Sequence, residues 1–255
     1  MEITVEQPQK HITVLTINRP QVLNALNWAA MDAFGTAVTE IQGSKHTRAL
    51  IITGAGDRAF CSGGDLREMH NQDSEGYGQV LSEKVRQALE MLENLPFPVI
   101  GAINGLARGG GVEIALACDL LVMDAQADMG LTQIKLALTP GWGSGQRLLH
   151  RVGYNRALYL LTTGNPIDAK EAYAIGLVEQ IAPPGTALQT ALSLAKDIAD
   201  NDPEAVQAIK QFLQAGRTRS PAEALRMELE TFPSRWASDA HNQRVAAFLN
   251  RKENR

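Results

Sequence analysis

Residues 104–113 read NGLARGGGVE and come directly after the apolar run Val99–Ile103. That run predicts a buried strand, and the apolar residues from Val112 to Cys118 predict a helix. The glycines Gly109–Gly111 therefore lead from the carboxyl end of a strand straight into a helix. The first N–H groups of a helix have no backbone partners and carry partial positive charge. This segment is suited to stabilise an oxygen atom on which negative charge develops.

A second glycine-rich segment has a similar setting. Residues 59–66 read AFCSGGDL and follow the apolar run Ala49–Thr53. Parallel α/β proteins bind ligands at the carboxyl ends of their strands, so both segments are candidate parts of a binding site. Neither segment carries G-x-G-x-x-G between a strand and a helix, and the chain has no Gly-Lys-Ser/Thr sequence. A dinucleotide fingerprint and a P-loop are therefore excluded.

The remaining sequence predicts the fold class. Strands are predicted at Ile12–Ile17, Ala49–Thr53, Val99–Ile103 and Leu120–Met123, and helices at Trp28–Ile41, Tyr77–Leu95 and Val112–Cys118. This alternation predicts an α/β fold whose largely parallel sheet is covered by helices. After a connection at Ile181–Gly185 (IAPPG), Asp202-Pro203 and Ser220-Pro221 each place a capping side chain before a proline, which predicts two helix starts. We therefore expect a core at 1–180 and a helical segment at 181–255.

The composition is that of an ordinary globular protein: 255 residues, 44% apolar and 20% charged, with a net charge of -4. This charge gives no electrostatic reason to expect nucleic acid or an anionic membrane as a partner. No apolar run reaches the roughly 18 residues that a membrane helix needs. The two cysteines and five histidines show no metal-ligand spacing. We therefore expect a cytoplasmic protein with reduced thiols, no metal and no membrane segment.

Taken together, the two glycine segments resemble the enoyl-CoA hydratase/isomerase (crotonase) family. The pattern A-F-C-x-G-x-D-L precedes I-N-G-x-A-x-G-G-G-x-E by about forty residues. Further matches to the family pattern lie at Asn18–Pro20, Asn24–Leu26, Ala117–Leu120, Pro140–Gly141, Gln146–Leu148, Ala174–Val178 and Ala247–Leu249. The resemblance implies the ClpP/crotonase fold, a spiral of ββα turns with a helical C-terminal trimerisation region. It also implies a homo-oligomer, either a trimer or a dimer of trimers.

The resemblance also implies a site. The backbone N–H groups of Gly64 and Gly110 would hold the carbonyl oxygen of an acyl-CoA thioester, with Glu113 as the acid–base group. The other implied substrate and CoA positions are Ala25, Ser62, Gly63, Asp65, Leu66 and Trp142, with Phe248 and Lys252 of a neighbouring subunit near the adenine. Coenzyme A is part of the substrate, so no separate cofactor is expected.

One position departs from the family pattern. Gln133 stands where hydratases of the family carry a second catalytic glutamate. A glutamine side chain does not exchange a proton near neutral pH, although it can orient a water molecule or a carbonyl group. The leading hypothesis is still hydration of a 2-enoyl-CoA, or the reverse dehydration, with Glu113 as acid–base and Gln133 as an orienting group.

Three alternatives stay open. Decarboxylation of a malonyl-type (2-carboxyacyl) CoA needs no second carboxylate, and decarboxylases of the superfamily resemble this chain in having tryptophan at Trp142. That tryptophan is equally consistent with a residue that closes the acyl pocket. Double-bond isomerisation is disfavoured because Gln133 lacks the carboxylate that such relatives use. A protein that binds acyl-CoA without catalysis is the third alternative.

Overall fold

The computed structural model describes residues 1–70 and 74–253, with side chains described through residue 250. The chain forms two compact units, Met1–Ile198 and Ala199–Arg255. The sequence-based boundary at residue 180 precedes this division because residues 180–182 form a strand of the main sheet in the first unit. The assignment of residues 181–255 to oligomerisation stays a prediction.

The first unit is built around a six-stranded sheet. Its strands are β1 (Ile3–Gln9), β2 (Ile12–Ile17), β3 (Ala49–Gly54), β5 (Val99–Ile103), β7 (Leu120–Asp124) and β10 (Gln180–Ala182), in the order β1-β2-β3-β5-β7-β10. Only β1 is antiparallel to its neighbour, and the other pairs are parallel. The four predicted strands are confirmed, because continuous apolar runs mark strands buried on both faces. The predicted connection Ile181–Gly185 is wrong at its first two residues, which belong to β10.

A smaller sheet brings the two glycine segments together. It contains β4 (Ala59–Cys61), β6 (Leu106–Arg108), β8 (Asp128–Gly130) and β9 (Ile167–Asp168), in the order β4-β6-β8-β9. β4 pairs in parallel with β6, with Cys61 opposite Ala107. Each of these two strands is followed by its glycine turn, so both glycine turns lie at the carboxyl ends of the neighbouring strands β4 and β6.

Helices of the first unit cover the sheets. They are α1 (Trp28–Gln42), α2 (Leu66–Met69), α3 (Glu75–Glu93), α4 (Gly110–Ala117), α5 (Ser144–Val152), α6 (Tyr154–Thr163), α7 (Ala169–Ala174) and α8 (Ala187–Ala199). The apolar stripe of α3 packs in the core through Val85, Leu89 and Leu92. α4 begins at Gly110, two residues before the predicted start, because its first turn is made by glycines that a propensity pattern does not assign to a helix.

The second unit is helical. It contains α9 (Pro203–Thr218), α10 (Pro221–Trp236) and α11 (Asp239–Glu253). Both predicted helix starts are confirmed: Asp202 caps α9 by accepting from the Ala205 N–H at 2.9 Å, and Ser220 forms a capping box with Glu223 at α10. Among the helices that the structure describes, none is long and apolar enough to cross a membrane.

Candidate active site

The two glycine turns are in direct contact. A Cβ atom on Gly63 would lie 3.1 Å from the carbonyl oxygen of Arg108 and 3.1 Å from the Gly110 nitrogen. A Cβ atom on Gly111 would lie 2.0 Å from the carbonyl oxygen of Cys61, which no real side chain permits. Gly63 also has a φ of 98°, which disfavours any other residue. The glycines are therefore required for the approach of β4 to the start of α4.

This approach leaves two backbone donors available. In the described ranges, 1–70 and 74–253, neither the Gly64 N–H nor the Gly110 N–H donates to another protein group. Gly110 is the first residue of α4, so its N–H belongs to those that a helix cannot satisfy internally. The geometry leaves both N–H groups free to bind a ligand oxygen, although their catalytic role stays a prediction.

The carboxylate of Glu113 is buried, with 2% of the residue exposed. Its Oε1 accepts from Nε2 of Gln133 at 2.9 Å and from the Gly141 N–H at 3.3 Å. Its Oε2 accepts from the N–H groups of Trp142 at 2.8 Å and Ser144 at 3.2 Å. These donors fix the orientation of the carboxylate and stabilise its negative charge inside the protein.

The side chain of Gln133 therefore contacts Glu113 directly. The sequence predicted that the two residues belong to one site but did not predict this contact. A carboxylate accepts hydrogen bonds, so the amide must present its NH2 group to Glu113 and its oxygen elsewhere. That oxygen, Oε1 of Gln133, is buried and has no hydrogen-bond partner among the residues that the structure describes. It is an acceptor that a water molecule or a substrate hydroxyl group can satisfy.

The donors from residues 141–144 are functional groups that sequence reasoning missed. Trp142 was considered only for its side chain and Gly141 only as a match to the family pattern, and no local pattern shows that their N–H groups bind a carboxylate 28 or 29 residues away. This loop is itself anchored. Arg147 donates to the carbonyl oxygen of Trp142 at 2.5 Å and pairs with Glu93 at 2.7 Å, and the Ser82 hydroxyl donates to the carbonyl oxygen of Gly141.

Five of the predicted substrate and CoA positions lie at or beside the first glycine turn. The Ser62 N–H donates to the Leu23 carbonyl at 3.0 Å, and the Asp65 N–H donates to the Leu26 carbonyl at 2.9 Å. Ala25, Ser62, Gly63, Asp65 and Leu66 thus lie on two adjacent chain segments. Ala25 is buried, whereas 54% of Leu66 is exposed and accessible to a ligand.

Arg19 and Asn24 hold these two chain segments in place, a role that was not predicted. Asn24 is buried with a positive φ of 56°, and its Nδ2 donates to the Ala59 carbonyl at 2.7 Å. Arg19 donates to the Ala25 carbonyl at 2.5 Å and pairs with Asp65 at 3.1 Å. The Asp65 carboxylate is thus occupied by Arg19, and its part in the site is to fix the turn.

Two of the predicted substrate and CoA positions belong to the second unit. Phe248 is on α11 of the second unit and is exposed, and the side chain of Lys252 lies outside the described residues. Both cysteines are buried. Burial raises the pKa of the Cys61 thiol to about 12, which makes it unreactive at neutral pH. Within the described part of the chain, no group of three or more His, Cys, Asp or Glu residues is placed to hold a metal ion.

Two free N–H donors above a buried carboxylate, on a two-sheet α/β framework, define the crotonase class of protein, and comparison with known proteins agrees. The enoyl-CoA hydratase/isomerase family model matches residues 7–255, and the chain belongs to this family. A crystal structure of an enoyl-CoA hydratase from Bacillus anthracis superposes with a TM-score of 0.94 at 35% identity, covering 98% of this chain and 97% of that one. The fold is therefore the crotonase fold.

Curated relatives extend over nearly the same length. A short-chain-enoyl-CoA hydratase of Clostridium acetobutylicum is 37% identical over 245 residues, which is 95% of this chain and 92% of the relative. A crotonyl-CoA hydratase of Syntrophomonas wolfei is 34% identical over 254 residues, which is 98% of this chain and 96% of the relative.

Proposed function

We propose that the protein is an enoyl-CoA hydratase that adds water across the double bond of a 2-enoyl-CoA thioester. One observation carries this proposal: the N–H groups of Gly64 and Gly110 stand on two glycine turns in direct contact, and Glu113 follows Gly110 by three residues on α4. The activities named for the relatives support it.

The two glycine N–H groups stabilise the charge that develops during the reaction. The thioester oxygen accepts from both of them, which polarises the carbonyl and the conjugated double bond. Addition of water to the β carbon moves negative charge onto that oxygen. One such preorganised donor contributes about 3 kcal/mol to lowering the barrier. Gly64 and Gly110 thus make the enolate accessible without any metal or redox group, and we propose that the only coenzyme involved is the CoA moiety of the substrate.

Glu113 carries the proton transfers. Its Oε1 accepts a hydrogen bond from the attacking water, and the Gly141 N–H at 3.3 Å is the longest and most easily replaced of its four contacts. As the water oxygen bonds to the β carbon, the water proton passes to Glu113. The same carboxyl group then returns a proton to the α carbon, and the enolate collapses to the thioester. Gln133 orients Glu113 through Nε2 and accepts from the water through Oε1.

Hydration of crotonyl-CoA tests this proposal. Loss of the conjugated thioester absorbance on addition of the purified protein is the expected result, and formation of 3-hydroxybutanoyl-CoA identifies the product. If the protein binds a CoA thioester but leaves the absorbance unchanged, the hydratase proposal is wrong.

A second candidate function is decarboxylation of a 2-carboxyacyl-CoA. The observation that favours it is the pairing of Glu113 with an amide, Gln133, so that only one proton-exchanging group stands at the site. Against it, a substrate carboxylate next to the negative charge of Glu113 would be repelled. Release of carbon dioxide from malonyl-CoA or methylmalonyl-CoA would support this function, and its absence together with hydration would remove it. A protein that only binds acyl-CoA would show neither reaction and no exchange of the α proton in deuterated water.

We also propose that the protein assembles into a homo-oligomer, a trimer or a dimer of trimers. In the second unit, helices α9, α10 and α11 carry apolar side chains that are more than half exposed, namely Leu213, Leu225, Leu229, Phe232, Trp236, Phe248 and Leu249. An apolar surface of this extent supports association with another chain. Sedimentation analysis tests this, and Leu229→Glu is expected to weaken assembly, whereas Glu228→Gln on the same helix serves as the control.

A further inference from the structure

The acyl chain has a defined starting point in the proposed complex. The thioester oxygen lies on the N–H groups of Gly64 and Gly110, and the α and β carbons must reach Glu113. Glu113 is three residues along α4 from Gly110, about 4.5 Å along a helix axis. The acyl chain beyond the β carbon therefore starts from a fixed position between Gly110 and Glu113.

Trp142 lies beside both Gly110 and Glu113. A Cβ atom on Gly110 would lie 2.1 Å from Cζ3 and 2.5 Å from Cη2 of Trp142, so the six-membered ring of the indole rests directly on Gly110. The backbone N–H of Trp142 donates to Oε2 of Glu113 at 2.8 Å. Only 6% of Trp142 is exposed. The ring therefore occupies the space against Gly110, at one end of the path that the acyl chain would follow.

The tryptophan is also held from behind. The carbonyl oxygen of Trp142 accepts from buried Arg147, and Arg147 pairs with Glu93 on α3. The preceding carbonyl, that of Gly141, accepts from Ser82 on the same helix. Moving the backbone of Trp142 away from the site would break these bonds and the hydrogen bond to Glu113. The backbone that carries the indole is therefore fixed in position, which limits how far the ring can move away from the site.

We infer that Trp142 restricts the acyl pocket to short chains, so that the substrate class is short-chain 2-enoyl-CoA thioesters of about the size of crotonyl-CoA. This inference rests on the proposed function, because it uses the thioester position that hydration requires. A longer chain must displace the indole, and each methylene that a pocket cannot accommodate changes the selectivity by about tenfold or more.

The test is a ratio of two substrates measured on one preparation. The quotient of kcat/KM for trans-2-octenoyl-CoA and for crotonyl-CoA is determined for the wild type, Trp142→Ala and Trp142→Leu. The quotient does not depend on the fraction of folded enzyme, so a destabilised variant remains informative. Phe34→Leu, a change at a buried aromatic residue of α1 outside the site, controls for general loosening of the core.

We expect the wild type to prefer crotonyl-CoA by at least about tenfold, and Trp142→Ala to raise the quotient by at least about tenfold. Trp142→Leu should lie between them, and Phe34→Leu should match the wild type. An unchanged quotient in both Trp142 variants, or a wild type that accepts both chains equally, overturns the inference.

A binding measurement separates this inference from the proposed function. Calorimetric titration with butanoyl-CoA and octanoyl-CoA, which are not hydrated, is expected to show weaker binding of the longer chain only while Trp142 is present. If no enoyl-CoA is hydrated but this difference appears, the hydratase proposal fails and the chain-length limit stands. If both thioesters bind the wild type equally, the chain-length limit fails whatever the enzyme catalyses.

Discussion

Nε2 of Gln133 donates a hydrogen bond to Oε1 of Glu113 over 2.9 Å. This contact fixes which end of the amide faces the carboxylate, and within the described part of the chain it leaves the buried Oε1 of Gln133 without a partner. A glutamate at position 133 would instead place two carboxyl groups in contact, and such a pair retains a proton. The glutamine instead orients a single carboxylate, and in the proposed reaction its free oxygen would accept from the incoming water.

Replacing Gln133 tests this role. Gln133→Leu removes both the donor to Glu113 and the free acceptor, and we expect kcat to fall by about tenfold or more with little change in KM, as for a lost transition-state interaction. Gln133→Glu places a second carboxyl group against Glu113, so the two groups would share a proton and the pH dependence of kcat/KM should differ from that of the wild type. Matching pH profiles for the wild type and Gln133→Glu would show that the two side chains do not act together.

Gly64 and Gly110 should respond differently to substitution by alanine, although alanine keeps the backbone N–H. A Cβ atom on Gly110 collides with the Trp142 ring at 2.1 Å, whereas on Gly64 it lies 3.1 Å from the flexible sulfur of Met69. Gly110→Ala should therefore destabilise the protein by about 1–3 kcal/mol and strongly reduce turnover.

Gly64→Ala is the matched control and should retain the stability and most of the activity. Thermal unfolding and crotonyl-CoA hydration on both variants provide the comparison. Equal behaviour of the two alanine variants would contradict the arrangement of Trp142 over Gly110.

The buried thiol of Cys61 predicts a loss of stability at high pH. Burial raises its pKa from 9.0 to about 12 in the folded state. The folded state thus holds this proton more tightly, so the contribution is complete below pH 9.0 and is lost as pH rises toward about 12. The stability advantage of the wild type over Cys61→Ala should shrink by about 1.4 kcal/mol per pH unit above 9. Denaturant unfolding of both proteins at pH 7 and pH 10 measures this difference, and a constant difference would be inconsistent with a protonated buried thiol.

The main sheet could be predicted from sequence because its strands carry a strong local signal. Ile12–Ile17 is rich in β-branched residues and Val99–Ile103 is an apolar run, and both were predicted with the observed bounds. The smaller sheet could not be predicted, since strands of two or three residues such as β9 and β4 are shorter than any recognisable period. β1 was also missed, because at this sheet edge its alternating residues are mostly polar and exposed.

The candidate site divides in the same way. Gly110 and Glu113 were found because their motif is local, with the carboxylate three residues after the glycine. The partners of Glu113 were not found. The N–H groups of Gly141, Trp142 and Ser144 come from a distant loop, and backbone donors leave no signature in the side-chain sequence.

The most direct test of the central claim is hydration of crotonyl-CoA by the wild type and by Glu113→Gln, with butanoyl-CoA binding and thermal unfolding measured on both. We predict clear turnover by the wild type and a loss of at least about 100-fold in kcat in the variant, as for removal of a general acid–base group. Binding of the thioester should persist, because in the proposed complex its oxygen is held by Gly64 and Gly110 and not by Glu113. A folded Glu113→Gln variant that hydrates crotonyl-CoA as fast as the wild type would contradict the account.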